Sequence, residues 1–171
     1  MAEPILYKME KPDGIEIPFT GTKPPIDNND FKDGDYDKVC YFSELTECLK
    51  SPNGDPTGVK QHPVLFWKEV NINTPFLKQC CHRRKLIPKV QFYFFHSLKG
   101  DPQGLTNFLT IEMEQVLILM SKILLYDITN PQDGAKPYIE EVSLSAQTFR
   151  WKYKRTNEPC MATHGTEFKI A

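Results

Sequence analysis

The sequence predicts a mainly β protein with one short α-helix, on three observations. The 14 prolines are scattered so that only residues 26–51, 103–130 and 138–158 leave room for a long helix, which argues against a helical bundle. The stretch Phe66-Trp67-Lys68-Glu69-Val70-Asn71-Ile72-Asn73-Thr74-Pro75-Phe76-Leu77 runs from strand chemistry straight into a helix start. Thr74 is the expected N-cap, its hydroxyl accepting a free first-turn N–H, and Pro75 suits the first helical position. Finally, Val142, Leu144 and Ala146 alternate at even positions, whereas Phe149, Trp151 and Tyr153 alternate at odd ones. A strand changes its buried face in this way only through a bulge, a bend or a move to another sheet, as at the corner of a closed barrel or of two packed sheets.

Along the chain, residues 4–18 read as a first strand and turn, with Ile5 and Tyr7 on one face and Leu6 on the other. Residues 20–37 are polar, carry Pro24-Pro25 and several aspartates, and read as a loop. Lys38 to Ser43 is a strand, and the turn formers from Ser51 to Gly58 make an exposed loop. Val64 to Trp67 resumes the sheet and leads into a helix over about 75–84. Phe76, Leu77, Cys80 and Cys81 form its apolar stripe, and Arg83-Arg84-Lys85 complements the dipole at its C-terminal end. Lys89 to His96 is an aromatic-rich strand.

Residues 108–125 carry two conflicting signals. Leu109, Ile111 and Met113 alternate with polar residues, yet Glu112 to Leu125 is built of strong helix formers. The alternation favours two strand segments, although composition alone does not decide it. Tyr126 to Pro137 is turn-rich. Ile139 to Lys154 is the last long strand, with Trp151 expected in the core. The tail after Lys154 is polar, with a final strand expected over Glu167-Phe168-Lys169-Ile170.

A chain of 171 residues suits one domain. A net charge of −1 gives no general attraction to nucleic acid or anionic membrane. The five cysteines, Cys40, Cys48, Cys80, Cys81 and Cys160, are odd in number and include an adjacent pair, which points to a reducing compartment. The first residues have no apolar stretch flanked by basic ones, and no run is long enough to span a bilayer, so a cytoplasmic product is expected.

Chemical motifs are weak. Cys80-Cys81-His82 is read as structural thiols, because helical neighbours diverge by about 100° and no second pair has zinc-ligand spacing. The acidic run Asp27 to Asp35 fails as a calcium loop, since Phe31 and Cys40 fall at ligand positions. Arg150, Lys152 and Lys154 share one strand face, which is read as solvated or protein-facing. No cofactor, metal site or catalytic residue is expected.

Three segments carry a family resemblance. Glu69 to Leu77 resembles the KxxDxxSPxL strand–helix junction of the haemolysin-coregulated protein (Hcp) family of type VI secretion. Phe108 to Ile118 resembles its YLxIxLxDVLV strand, and Tyr138 to Tyr153 its final EEVSLSYxxIxWTY strand. Asn71 or Ile72 stands where aspartate is common, and Ala146 where tyrosine is. The resemblance implies a small β-barrel of two packed antiparallel sheets with one flanking helix over residues 1–171, and it implies strands over 108–125.

It also implies six copies closing into a ring, and rings stacking into a tube that is expelled by a contractile sheath. The partners so implied are other copies of the chain, the sheath, the spike, and small effectors carried in the lumen. Secretion then follows a route that reads no signal peptide. The expected stacking loops are Ser51-Pro52-Asn53-Gly54-Asp55-Pro56-Thr57-Gly58-Val59-Lys60 and Asn130-Pro131-Gln132-Asp133-Gly134, continuing to Lys136. Ser43 is the candidate for the lumen wall. Two rival readings are a monomeric ligand-binding barrel and a hydrolase using Cys81 with a distant histidine.

Overall fold

The computed structural model describes residues 5–10, 12–13, 39–41, 44–50, 60–97, 105–125, 138–155 and 158–165. Their elements run β1 (Ile5–Met9), β2 (Val39–Tyr41), β3 (Glu44–Thr46), β4 (Leu49–Lys50), β5 (Lys60–Gln61), β6 (Val64–Glu69), α1 (Thr74–Arg83), β7 (Ile87–Ser97), β8 (Leu105–Leu124), β9 (Ile139–Arg155) and β10 (Glu158–Gly165). Eight strands form one antiparallel sheet in the order β2-β1-β7-β8-β9-β6-β3, with β10 also on β9. Strand β9 thus changes partner along one edge, from β6 over Ile139–Leu144 to β10 over Thr148–Arg155. Strands β4 and β5 form a separate two-stranded ribbon.

The sheet curls onto itself. Between β1 and β6 lie β7, β8 and β9, so a flat sheet would hold those strands about 19 Å apart. Yet the rings of Tyr7 on β1 and Phe66 on β6 have centroids 5.2 Å apart, and Phe66 lies 5.2 Å from Phe92 on β7. These rings meet in one core with Val64, Met113, Val116, Val142 and Leu144. The barrel-like, one-helix class expected from sequence is present. Its walls are parts of one continuously hydrogen-bonded sheet rather than two separate ones.

The parity flip in β9 is the corner that produces this curl, and it is shared by three strands. Ile87 pairs with Val116, which pairs with Ala146; one step away, Val90 pairs with Met113, which pairs with Phe149. All six side chains are buried, although each strand places an uneven three-residue step between its two inward positions. Because β7, β8 and β9 each carry the extra residue at the same level, pairing resumes in the same register beyond it. Gln115 absorbs part of the bend with a left-handed φ of 52°, at a cost of about 1 kcal/mol for a residue with a β-carbon. Further along, Leu119 is an extra residue in β8 between Ile118 and Met120.

Residues 105–124 form one strand rather than two segments, bent by these irregularities. Pairing on both sides, with β7 and β9, overrides its helix-forming composition. Strand β10 falls where the sequence reading placed a polar tail. The strand expected over Glu167–Ile170 lies outside the described residues.

Helix α1 buries Thr74, Phe76, Leu77 and Cys80 and packs on β8. Its start differs from expectation. Asn73 is the N-cap residue, its carbonyl accepting the Leu77 N–H at 3.0 Å, and no side chain caps the helix. Thr74 is the first helical residue and Pro75 the second, because the Thr74 hydroxyl is engaged elsewhere. The helix ends in a Schellman motif: Arg84 N–H donates to Cys81 O at 3.2 Å and Lys85 N–H to Cys80 O at 3.0 Å. Arg84 holds the left-handed position (φ 49°), where glycine is the usual residue and a side chain costs about 1 kcal/mol.

Trp151 is half-buried, stacked on Phe149 with centroids 5.9 Å apart and packed against the core. Phe66→Ala is therefore expected to cost about 3–5 kcal/mol, and Trp151→Ala roughly half of that. Urea unfolding at one fixed protein concentration checks the order, and a larger loss at Trp151 would contradict this packing.

Candidate assembly surfaces

One buried polar lock fixes the end of the sheet that carries the helix. Lys68 follows Val64 and Phe66 on the inward side of β6, and Glu140 precedes Val142 and Leu144 on the inward side of β9. The two residues are direct register partners, with Lys68 Nζ 2.8 Å from Glu140 Oε2 and both side chains 0 % exposed. The Thr74 hydroxyl donates to Glu140 Oε2 at 2.7 Å and accepts from Lys68 Nζ at 3.1 Å. Ser121 Oγ on β8 donates to Glu140 Oε1 at 2.7 Å, and Lys78 Nζ on the helix donates to Ser121 Oγ at 3.1 Å. Lys68 also donates to Asn71 Oδ1 at 3.1 Å and Glu69 O at 3.0 Å. One point thereby ties β6, β8, β9 and α1 together.

The outward face of β7, β8 and β9 carries a second charge lattice. Ile111 and Met113 point inward, so Glu112 and Glu114 point outward. Arg150 Nη1 donates to Glu112 Oε1 at 3.1 Å and Glu114 Oε1 at 2.8 Å. Lys152 Nζ donates to Glu112 Oε2 at 3.2 Å, Gln91 Nε2 donates to the same oxygen at 2.9 Å, and Lys89 Nζ stands 4.0 Å away. These cross-strand neighbours cover Glu112 almost completely. Burial alone would push its carboxyl up, but Lys152, Lys89 and Arg150 outweigh that and hold it below the ordinary carboxylate range. Arg150 and Lys152, read in the sequence as a basic face, thus neutralise acids on the neighbouring strand.

Past the lock, the sheet end is apolar and exposed. Val70 N–H donates to Tyr138 O at 2.9 Å, continuing the β6–β9 pairing. Val70, Ile72, Ile123, Leu125 and Tyr138 all remain exposed there. They form a rim on the strand ends that flank residues 126–137.

Of the expected stacking residues, Lys60 is described: it is exposed and pairs with Lys50 in the ribbon. Gln61 steadies that ribbon by donating to Glu47 Oε1 at 2.8 Å. Ser51 to Val59 join its two strands and lie outside the described residues, as do Ser43 and Asn130 to Gly134. Cys80 is buried, and burial, aided by Cys81, pushes its thiol up to about 11. Cys81 is half-buried and His82 exposed. Lys68, Glu140 and Glu112 escaped the sequence reading as site residues. The available signal was that Lys68 and Glu140 both share the parity of apolar core positions.

A curled antiparallel β sheet with one docked helix places the chain in the class of small barrel-like β proteins. The family model for the type VI secretion system effector Hcp matches residues 44–153, more than half of the chain. The chain belongs to the Hcp family. Among solved structures it is similar to an Hcp protein (19% identity, 98% of this chain and 99% of that chain covered, TM-score 0.76). It is similar also to Hcp1 of E. coli EAEC 042 (18%, 96% and 99%, TM-score 0.70) and to the secreted protein Hcp3 of Pseudomonas aeruginosa (12%, 98% and 100%, TM-score 0.71). At these identities the likeness establishes the fold. No curated protein matches the sequence.

Two predictions follow from the charge networks. Lys68→Met strands a buried carboxylate and is expected to cost about 3–5 kcal/mol, whereas Lys68→Met with Glu140→Leu recovers most of that loss. A double-mutant cycle in urea measures the difference, and additive losses would contradict a coupled pair. The depressed Glu112 carboxyl contributes stability that is present above the ordinary carboxylate range and lost as pH falls through its lower folded value. Glu112→Gln is therefore expected to lower stability at pH 7 and to flatten its fall as the pH drops below the ordinary carboxylate range. An unchanged acid limb in denaturant titrations would count against this.

Proposed function

We propose that this chain is the repeating subunit of a type VI secretion tube, six copies closing into a ring and rings stacking end to end. The family match over residues 44–153 carries this reading. The physical form agrees with it. A closed ring needs two different patches of one subunit to meet around a closing rotation, and a stack needs a further pair that stays open-ended. The described residues offer distinct surfaces of this kind: the apolar rim around Tyr138 and Leu125, the β4–β5 ribbon, and the exposed end of the helix.

The subunit acts by packing rather than by catalysis. Ser51 to Lys60 and Asn130 to Lys136 make the stacking contacts, and Ser43 contributes to the lumen wall. The sheath grips the outside, the spike caps the tube, and small effectors ride inside. Tubes form in the cytoplasm and are then secreted. Among the described residues no helix is long and apolar enough to cross a membrane.

Solution mass and negative-stain imaging test the reading. Wild-type protein is expected to run near six subunits and to show rings. A lone subunit at high concentration would favour the monomeric ligand-binding barrel, and selective fast labelling of Cys81 by a thiol probe would favour the hydrolase. Deleting residues 53–58 is expected to leave rings intact while abolishing tubes. Tubes of normal length from that variant would remove the first loop from the stacking contact.

A further inference from the structure

The two ends of the helix present unlike surfaces. At the C-terminal end, His82-Arg83-Arg84-Lys85-Leu86 are five consecutive exposed residues, three of them cations. Among the described residues these three cations form no ion pair or side-chain hydrogen bond. They are not needed as caps, because the Schellman backbone bonds already satisfy the Cys80 and Cys81 carbonyls. Arg84 moreover occupies a left-handed position that glycine would hold with less strain. A charged residue kept where local structure favours another type is the pattern of a position selected for something other than the subunit's own stability. Leu86 adds an apolar side chain, 40 % exposed, directly beside the charges.

The approach to the other end is acidic and apolar. Glu69 closes β6 and is exposed, and Val70 and Ile72 follow it, both exposed. The helix then begins at Thr74, whose hydroxyl meets Lys68, the residue before Glu69, at 3.1 Å. The 10 residues of the helix rise about 15 Å, which sets the two patches apart on the subunit. Among the described side chains three acids are exposed, Glu10, Asp13 and Glu69. Glu10 N–H donates to Lys89 O at 2.8 Å, a short way along the chain from Lys85, so Glu10 and the nearby Asp13 share the flank that carries the cations. Glu69 is the exposed acid at the far end of the helix. A ring closes by joining unlike patches from different flanks of one subunit. We propose that the cationic helix end of one copy docks on Glu69, Val70 and Ile72 of its neighbour, with Leu86 packed against the apolar pair. This rests on the tube reading above and names a contact within it. Opposite charges on unlike patches, each beside apolar side chains, favour head-to-tail joining and disfavour like-to-like pairing.

Charge reversal tests the contact at about 0.1 M salt, where exposed charges interact over about 10 Å. One variant carries Arg83→Glu, Arg84→Glu and Lys85→Glu; the other carries Glu69→Lys. Each alone is expected to melt as a folded subunit, yet to need about tenfold more protein to form rings, by solution mass and by imaging. Mixed in equal amounts they are expected to assemble as the wild type does, because each basic patch then meets an acidic one and a six-membered ring alternates without conflict. Arg84→Gly is expected to keep or raise the melting temperature while weakening assembly, which separates docking from folding. Rings from folded Glu69→Lys at the wild-type concentration overturn the contact and leave the tube reading intact. A mixture that assembles no better than its parts, with recovery only when both reversals sit in one chain, overturns a contact between copies. Failure of the wild type to form rings removes the tube reading itself, and this contact with it.

Discussion

The pairing of Lys68 with Glu140 holds the rest of the structure in place. Both charges sit in the core, where an isolated ion would be penalised by several kcal/mol even after relaxation. Their mutual attraction offsets that penalty only because Thr74 and Ser121 fill the remaining hydrogen-bond positions of the carboxylate. Such a pair adds little net stability compared with well-packed apolar residues. It does make the alternatives unacceptable. Sliding β6 past β9 by one residue would turn Lys68 outward and strand Glu140 inside. Moving the helix would remove Thr74 from both ions. Register and helix position are therefore set by one interaction that tolerates no partial solution.

The corner across β7, β8 and β9 is the second constraint, and it explains how strands as long as β8 and β9 serve a small core. A straight 17-residue strand spans about 56 Å. It would carry its apolar face far past any partner. Adding one residue at the same level in three neighbouring strands turns the sheet while the β7–β8 and β8–β9 ladders keep their register across the corner. A bulge in one strand alone shifts the pairing by one residue, as Leu119 of β8 does against β9. The same corner separates two duties of the sheet. On one side of the pleat Ile111, Met113 and Phe149 close the core; on the other, Glu112 and Arg150 hold a lattice of paired charge.

Much of this was legible in the sequence, where the signal was local. The parity change between Ala146 and Phe149 announced a corner, and Thr74-Pro75 announced a helix start within a residue of its position. What escaped depends on pairing between distant residues. Thr74 has cap chemistry, but its hydroxyl is held by a glutamate 66 positions away. Residues 108–125 have helical composition, and two neighbouring strands decide against it. Strand β10 shows no clean alternation and owes its place to the free edge of β9. Arg150 and Lys152 read as a basic face until register set Glu112 beside them. The resemblance to the Hcp family carried the tube reading, because nothing in residue spacing alone implies a ring. The stacking and lumen candidates fall almost wholly outside the described residues, so the fold bears on them only through the ribbon that flanks Ser51 to Val59.

A subunit built to join its own copies has to expose apolar surface without associating indiscriminately. The rim of Val70, Ile72, Ile123, Leu125 and Tyr138 supplies the non-directional part of an attraction. Direction has to come from groups whose interaction changes sign with the wrong partner, as that of charges does. Here the outer-face charges of Glu112, Arg150 and Lys152 are already spent on one another within the subunit. They leave little field to steer a neighbour. Among the described residues, the cations at the helix end enter no such lattice. Internal neutralisation on the sheet face therefore leaves steering to charges elsewhere on the subunit.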